Sequence, residues 1–349
     1  MDKTRIKWID ILKGIGIVLV VVGHANFIFA NATTTMFIQK YIYSFHMPLF
    51  FFLSGYLFVK EKYPSFKKLI HAKVKTLLVP YFLFSILSLI VYVIYGLTHN
   101  YKLIEFKTMV IQVLYLNNKV VWNEVLWFLV CLFVVEVMFY FIPKSKTKLI
   151  LLVCAIIGYS LSLITNYFIL PWGVGVAFTA IVFYGLGSLI KNTKIKKKIT
   201  SPNIVIFIIC FATNIVIGGV INTIVYMSDI SYGNFIYFYI ASITGIISYI
   251  QISQFISKYN LITKSLEYLG KNSIVILCTH YIVFFIIQKI GKLNSLFKNN
   301  ISIKGYAYAL ITLLISIPII IMINRFFPWI LGKNINRNVI SKRNIIKTQ

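Results

Sequence analysis

Long apolar runs alternate with short polar segments along the whole chain. A helix rises 1.5 Å per residue, so about 20 apolar residues cross a hydrocarbon layer about 30 Å thick. The pattern therefore indicates an all-α, polytopic membrane bundle. We predict ten transmembrane helices, at residues 9–29, 37–59, 76–97, 125–142, 148–166, 169–190, 203–224, 233–254, 272–290 and 305–327.

The polar segments between these runs are too short for a second folded domain, and no internal repeat is visible. We therefore predict one membrane domain over residues 1–349. Its motif-bearing core covers about 5–333, and 334–349 forms a basic cytoplasmic tail.

Composition agrees with a membrane location. Hydrophobic residues make up 59% of the chain and charged residues 12%, with a mean hydropathy of +0.85. Soluble domains carry about 25% charged residues. The chain is thus expected in a membrane, and we predict the bacterial cytoplasmic membrane.

The basic residues predict an orientation. With the amino terminus in the cytoplasm, 25 of the 35 Lys and Arg residues fall in inside segments and 8 in outside segments. The positive-inside rule then places both termini in the cytoplasm. The net charge of +27 is explained by lysines beside anionic headgroups, and we expect no nucleic-acid partner because no basic domain interleaved with aromatics accompanies it.

The first run allows two interpretations. Its basic start, apolar core and Ala30-Asn31-Ala32 resemble a signal peptide with a cleavage site. Asp10, Lys13 and His24 are unusual in a cleaved segment, so we favour a retained first helix.

Lys13 and His24 close the apolar stretch KGIGIVLVVVGH and are predicted to share one helix face. Eleven residues correspond to three turns plus about 20°, and to about 16 Å along the axis. Asp10 precedes Lys13 by one turn and is expected to pair with it. An ionisable group inside a span indicates a functional role. Two alternatives stay open: Asp10 and Lys13 lie at the membrane interface without a further role, and His24 is a packing residue. These three residues are our catalytic candidates.

Histidine is the expected proton acceptor because carboxylates are scarce. The chain has only 8 Asp and Glu residues, and Asp10, Glu124 and Glu136 alone fall at or near predicted membrane depth. This argues against a carboxylate proton relay and against paired-carboxylate glycosidase chemistry. A histidine pKa near 6.5 suits proton exchange at neutral pH. The 4 cysteines lack metal-ligand spacing, and we predict no metal site and no disulfide framework.

The second run, YIYSFHMPLFFFLSGYLF, holds His46 and Pro48. Proline lacks a backbone N–H, so we expect a kink that leaves a carbonyl unpaired beside His46 and forms a pocket wall. Ser54 and Gly55 predict close helix packing. Ser54 has no nucleophile-elbow context but is kept as a substrate-binding candidate.

Several segments in order resemble the bacterial acyltransferase 3 family, most closely its fucose 4-O-acetylase-like and WecH-like O-acetyltransferases. The resemblance covers nearly the full chain. The segments that carry it include WIDILKGIGIVLVVVGH, SFHMPLFFFLSGYLF, KTLLVPYFLF, LWFLVCLF, LPWGVGVAFTAIVFYGLG, YGNFIYFYIASITG, LEYLGKNSIVILCTH and FPWILGK.

The resemblance implies a ten-helix membrane enzyme that moves an acyl group, usually acetyl from acetyl-CoA, to a hydroxyl of a cell-surface glycan or lipid-linked sugar. The family's motif of a basic residue, ten residues and a histidine maps onto Lys13 and His24, with Lys13 where relatives commonly carry Arg. Lysine keeps the charge but not the bidentate fork. The family's paired basic motif maps onto Lys73 and Thr76, and we expect Lys75 to replace the second contact with the coenzyme A phosphates. Gly175 stands where relatives often carry an acid.

The resulting hypothesis is acetyl transfer with His24 as general base, directly or through an acetyl-histidine, and with no permanently bound cofactor. Alternatives are a polysaccharide or lipid-linked sugar exporter or flippase, and a structural subunit of a glycan-synthesis complex. Homo-oligomerisation and association with glycan-synthesis proteins stay open. Further substrate-binding candidates are His46, Asn272 and His280 for positioning, and Trp127 and Trp172 for stacking on a sugar, although aromatics near an interface often serve as anchors.

Overall fold

The computed structural model describes residues 6–30, 32–98, 105–115, 120, 122–165, 170–191, 193, 195–288 and 301–333. The regular elements in these ranges are helices, with one isolated bridge between Tyr226 and Ser231. The all-α prediction is therefore confirmed. The tail predicted at 334–349 lies outside the described residues.

Fifteen α-helices are described. They are α1 (Lys7–Phe29), α2 (Ala32–Tyr43), α3 (His46–Leu57), α4 (Phe66–Lys73), α5 (Val79–Thr98), α6 (Phe106–Tyr115), α7 (Trp127–Tyr140), α8 (Thr147–Leu163), α9 (Val174–Lys191), α10 (Ile195–Thr200), α11 (Ile204–Asn214), α12 (Phe235–Ile256), α13 (Asn260–Lys271), α14 (Ser273–Gln288) and α15 (Ile301–Phe326). A π-helical segment, Val74–Leu78, joins α4 to α5, and a second, Ile215–Ile221, extends α11.

Seven helical stretches within the described ranges are long and apolar enough to cross a membrane, and an eighth is added if α13 and α14 form one span bent by 81°. A polytopic membrane bundle is thus confirmed. The predicted span 37–59 is broken between α2 and α3, and within 125–142 the α-helix α7 has only 14 residues. The count of ten spans and the cytoplasmic termini stay predictions.

The break between α2 and α3 corrects the expected kink at Pro48. The helix ends before Ser44 and restarts at His46, so Pro48 lies in the first turn of α3, where its missing N–H costs no hydrogen bond. Neighbouring helices satisfy the polar groups of the break. The Ser242 hydroxyl donates to the Ser44 carbonyl (2.6 Å), and Asn214 Nδ2 donates to Ser44 Oγ (3.1 Å).

Glycines bring two helix pairs into backbone contact. A Cβ atom at Gly14 would collide with the backbone of Leu266, and one at Gly270 with the carbonyl of Asp10, so α1 and α13 approach at backbone distance. Gly55 of α3 stands in the same relation to the backbone of Tyr184 in α9. Such small-residue contacts are typical of membrane helices, and the close packing expected at Gly55 is confirmed.

Candidate functional site

His24 lies on the last third of α1 and faces a cavity of about 230 Å³, here called the His24 cavity. Helices α1, α2, α3, α7 and α14 contribute to its wall, together with the residues just before α7 and the segment between α11 and α12. The side chains of the wall are Val20, His24, Phe27, Tyr43, His46, Met47, Glu124, Val125, Trp127, Val225, Tyr226, Met227, Ser228, Asp229, Leu277 and Tyr281.

Three histidines from three helices cluster at the wall of this cavity, and two of them, His24 and His46, line it. The ring centroid of His24 lies 6.4 Å from that of His46 in α3 and 5.4 Å from that of His280 in α14. Tyr43 and Tyr281 pack edge-on against His24 at 5.8 and 5.3 Å. The predicted candidates His24, His46 and His280 are therefore brought together by the fold. His46 lines the cavity, while the fully buried His280 lies behind His24.

Backbone contacts fix the tautomers of two of these histidines. Nδ1 of His46 lies 2.8 Å from the carbonyl of Ile42, and Nδ1 of His280 lies 2.9 Å from that of Ile276. A carbonyl only accepts, so each Nδ1 carries the proton and each Nε2 keeps a lone pair. Among the described residues, Nδ1 of His24 and Nε2 of His280 have no hydrogen-bond partner. A buried polar atom without a partner favours a functional role over simple packing.

Lys13 lines a second, smaller cavity of about 100 Å³, here called the Lys13 cavity. Ile17 lies beside it, so the face predicted for α1 runs from the Lys13 cavity at Lys13 and Ile17 to the His24 cavity at Val20 and His24. Ser54 also lines the Lys13 cavity, and its hydroxyl donates to the carbonyl of Phe50 (2.8 Å). Lys13 and His24, which the eleven-residue spacing places on one face of α1, thus line the Lys13 cavity and the His24 cavity respectively.

Comparison with known proteins decides the family. A family model described as an acyltransferase domain matches residues 6–325. The chain belongs to the acyltransferase 3 family. It is therefore a multi-pass membrane acyltransferase. Searches of curated proteins and of solved structures found no match. The finer likeness to fucose 4-O-acetylase-like and WecH-like enzymes stays a prediction.

In this acyltransferase, Lys73 is held in a largely buried ion pair. Its Nζ donates to Glu136 of α7 at 2.9 Å, with side-chain exposures of 16% and 5%. The Tyr184 hydroxyl also reaches the Glu136 carboxylate (3.4 Å), and Lys73 Nζ lies 5.5 Å from the ring centroid of Tyr63. This pair ties the carboxyl end of α4 to α7, so Lys73 has a structural partner besides any role toward a donor.

The remaining predicted site residues lie in different places. Trp127 lines the His24 cavity. Trp172 donates its indole N–H to the Leu114 carbonyl (2.9 Å), and Asn272, at the bend between α13 and α14, accepts from Asn324 Nδ2 (2.8 Å). Neither of these two lines the His24 or the Lys13 cavity.

Asp10 and Lys75 also lie outside both cavity walls. The carbonyl of Asp10 is at the contact of α1 with Gly270, and the carbonyl of Lys75 lies beside Gly332. Asp10 thus lies where α1 meets α13, and Lys75 lies where the π-helical segment meets Gly332.

Several residues of the His24 cavity were not predicted as site residues. Tyr43 precedes His46 by three residues, and Tyr281 directly follows His280. This closeness in sequence to candidate histidines could have marked both tyrosines as site residues. Asp229 and Tyr226 come from the segment between α11 and α12, and only the tertiary fold brings that segment to α1. In the part of the chain that the structure describes, no group of three or more His, Cys, Asp or Glu residues is arranged to hold a metal ion.

Proposed function

We propose that this acyltransferase moves an acetyl group from acetyl-CoA to a hydroxyl of a cell-surface glycan or lipid-linked sugar, with His24 as general base. The supporting observation is that His24 stands in the cavity wall with Nδ1 unpartnered among the described residues. With no carbonyl bound to the buried Nδ1, the neutral imidazole can carry its proton there and keep the Nε2 lone pair for a hydroxyl proton.

The chemistry follows from this assignment. His24 accepts the proton of the acceptor hydroxyl as that oxygen attacks the thioester carbonyl carbon. The carbon–sulfur bond then breaks, and the imidazolium returns the proton to the coenzyme A sulfur. General base catalysis of this kind contributes typically about 10² to 10⁴ in rate.

Ring packing, rather than a carboxylate, orients His24 in this account. Tyr43, His46, His280 and Tyr281 surround the imidazole at centroid distances of 5.3 to 6.4 Å. A base held in one orientation raises the reaction rate because the entropic cost of aligning the reacting groups is already met in the folded protein.

The Lys13 cavity is the proposed path of the donor. Its side chains are mainly apolar, with Lys13, Ser54 and Ser273 as the polar members, which suits a pantetheine arm. Lys13 and Lys75 are proposed to attract the coenzyme A phosphates as point charges. Lys73 belongs to the same group of donor candidates, but its charge is already balanced by Glu136.

The His24 cavity is the proposed acceptor site. The rings of Tyr43, Trp127 and Tyr226 offer apolar faces to a sugar, and the carboxylates of Glu124 and Asp229 are acceptors for sugar hydroxyls. His46 stands beside them as a positioning group. We place the enzyme in the bacterial cytoplasmic membrane, where a lipid-linked acceptor is available.

A transfer assay tests this function. Membranes with the wild type, Lys13→Ala or no enzyme are supplied with acetyl-labelled acetyl-CoA, and surface glycans and lipid-linked sugars are analysed by mass spectrometry. We expect label on a glycan hydroxyl with the wild type and reduced label with Lys13→Ala. Movement of a glycan across the membrane without consumption of acetyl-CoA would contradict the proposal and favour an exporter or flippase.

A further inference from the structure

Two apolar side chains lie between the two cavities. Met47 and Leu277 line both the His24 cavity and the Lys13 cavity, and no other described residue lines both. Each is almost completely buried, with exposures of 7% and 5%. The two cavities therefore meet at this pair.

The pair lies at the level of the histidines. Met47 follows His46 in the first turn of α3, and Leu277 precedes His280 by one turn of α14. Lys13 and His24 lie on opposite sides of the pair, separated by about 16 Å along α1. A donor arm that extends from the Lys13 cavity into the His24 cavity passes Met47 and Leu277, the two residues that line both.

The chemistry of the two side chains suits a movable barrier. Methionine has three rotatable side-chain bonds and fills irregular gaps, so it swings aside at low cost. Apolar constrictions also exclude water, so water in one cavity does not pass freely into the other. Water kept away from the thioester cannot compete with the acceptor hydroxyl.

We propose that Met47 and Leu277 form a septum that sets the size of the acyl group delivered to His24. This inference rests on the proposed function, because it assumes that a thioester arm uses the Lys13 cavity. A small acyl group passes the septum, and each added methylene must displace more of the two side chains. In an apolar site one methylene changes selectivity by about 10- to 200-fold.

The donor preference is the first readout. Purified wild type, Met47→Ala, Leu277→Ala and the double variant are compared by kcat/KM with acetyl-CoA and butyryl-CoA. We expect the wild type to prefer acetyl, and the double variant to shift that preference toward butyryl by about 10-fold or more. Leu53→Ala is the matched control, because Leu53 is a fully buried residue of α3 that lines neither cavity.

The control separates a local effect from general loosening of the bundle. Leu53→Ala is expected to keep the wild-type donor preference, and Met47→Leu, which preserves volume, is expected to do the same. An unchanged preference in the double variant, or an equal shift in Leu53→Ala, would overturn the septum.

A leak measurement distinguishes failure of the septum from failure of the proposed function. The same proteins are placed in sealed vesicles with a pH-sensitive dye inside, and proton entry is followed after an external pH step. If neither the wild type nor any variant transfers an acyl group, the proposed function fails. The rate of proton entry then shows whether Met47 and Leu277 form a barrier between the two cavities. Faster proton entry in the double variant than in the wild type and Leu53→Ala supports the barrier, and equal entry in all three overturns it.

Discussion

The rings of His24 and His280 lie 5.4 Å apart between centroids, with His280 fully buried behind His24. His280 is fixed by the hydrogen bond from its Nδ1 to the Ile276 carbonyl. Since the Nδ1 atom of His24 has no partner among the described residues, we propose that His280 and the other packed rings orient His24, as a carboxylate orients the histidine of many catalytic triads.

His280 is therefore expected to act as a positioning residue. His280→Ala removes the ring behind His24, and we expect kcat to fall by about 10- to 100-fold because a small misplacement of a catalytic group is costly. The KM for the donor should change little, because His280 lines neither cavity. His280→Phe keeps a ring in place and should retain most of kcat. Steady-state kinetics of both variants check this, and a change confined to KM would argue against it.

The contact between α1 and α13 should be sensitive to one added carbon. Gly14→Ala places a Cβ atom against the backbone of Leu266, which cannot move without shifting α13. Overpacking of this kind typically costs about 1–3 kcal/mol of unfolding free energy. Gly16→Ala is the matched control, since its Cβ would meet side-chain atoms of Phe50 and Leu49 at 3.1 and 3.2 Å.

Thermal unfolding in detergent compares the two glycine variants. We expect a clear decrease in Tm for Gly14→Ala and a smaller one for Gly16→Ala. Equal Tm values for wild type and Gly14→Ala would show that the two helices separate without penalty, contrary to the packing described here.

Removal of one partner of the Lys73–Glu136 ion pair should lower stability more than replacement of both partners by apolar residues. Glu136→Ala leaves a largely buried ammonium group without its partner, and loss of one member of a buried pair costs about 3–5 kcal/mol. The double variant Lys73→Met with Glu136→Leu replaces both charges with apolar groups and should recover much of the lost Tm. Glu136→Ala with the Tm of the wild type would refute this structural role.

The same double variant probes the link between Lys73 and the donor. If Lys73 serves mainly to hold the carboxyl end of α4 against α7, the double variant keeps the wild-type KM for acetyl-CoA. A large increase in KM with an unchanged Tm would instead assign Lys73 to the coenzyme A phosphates.

Much of the helical architecture was predictable because lipid imposes a simple rule on the sequence. Spans such as 9–29 and 233–254 are stretches of about 20 predominantly apolar residues, and α1 and α12 follow them closely. The break at Ser44 was not predicted, since it depends on Ser242 and Asn214 from distant helices. Hydropathy has no information about such partners.

The candidate site was partly predictable for a related reason. Helical spacing places Lys13 and His24 on one face, and the structure finds the cavities along that face. The meeting of His24 with His46 and His280 depends on how three helices pack, which spacing within one helix does not encode. Asp229 reaches the wall of the His24 cavity from a segment between helices. Such a segment has no periodic pattern from which the position of its side chains could be predicted.

The most direct test of the central claim is the acetyl-transfer rate of purified His24→Gln. Glutamine keeps a polar side chain of similar length but cannot take a proton at neutral pH. With the Tm of the wild type as evidence of folding, we predict a kcat lower by about 10² to 10⁴. A His24→Gln protein that transfers acetyl at the wild-type rate would contradict the assignment of His24 as the base.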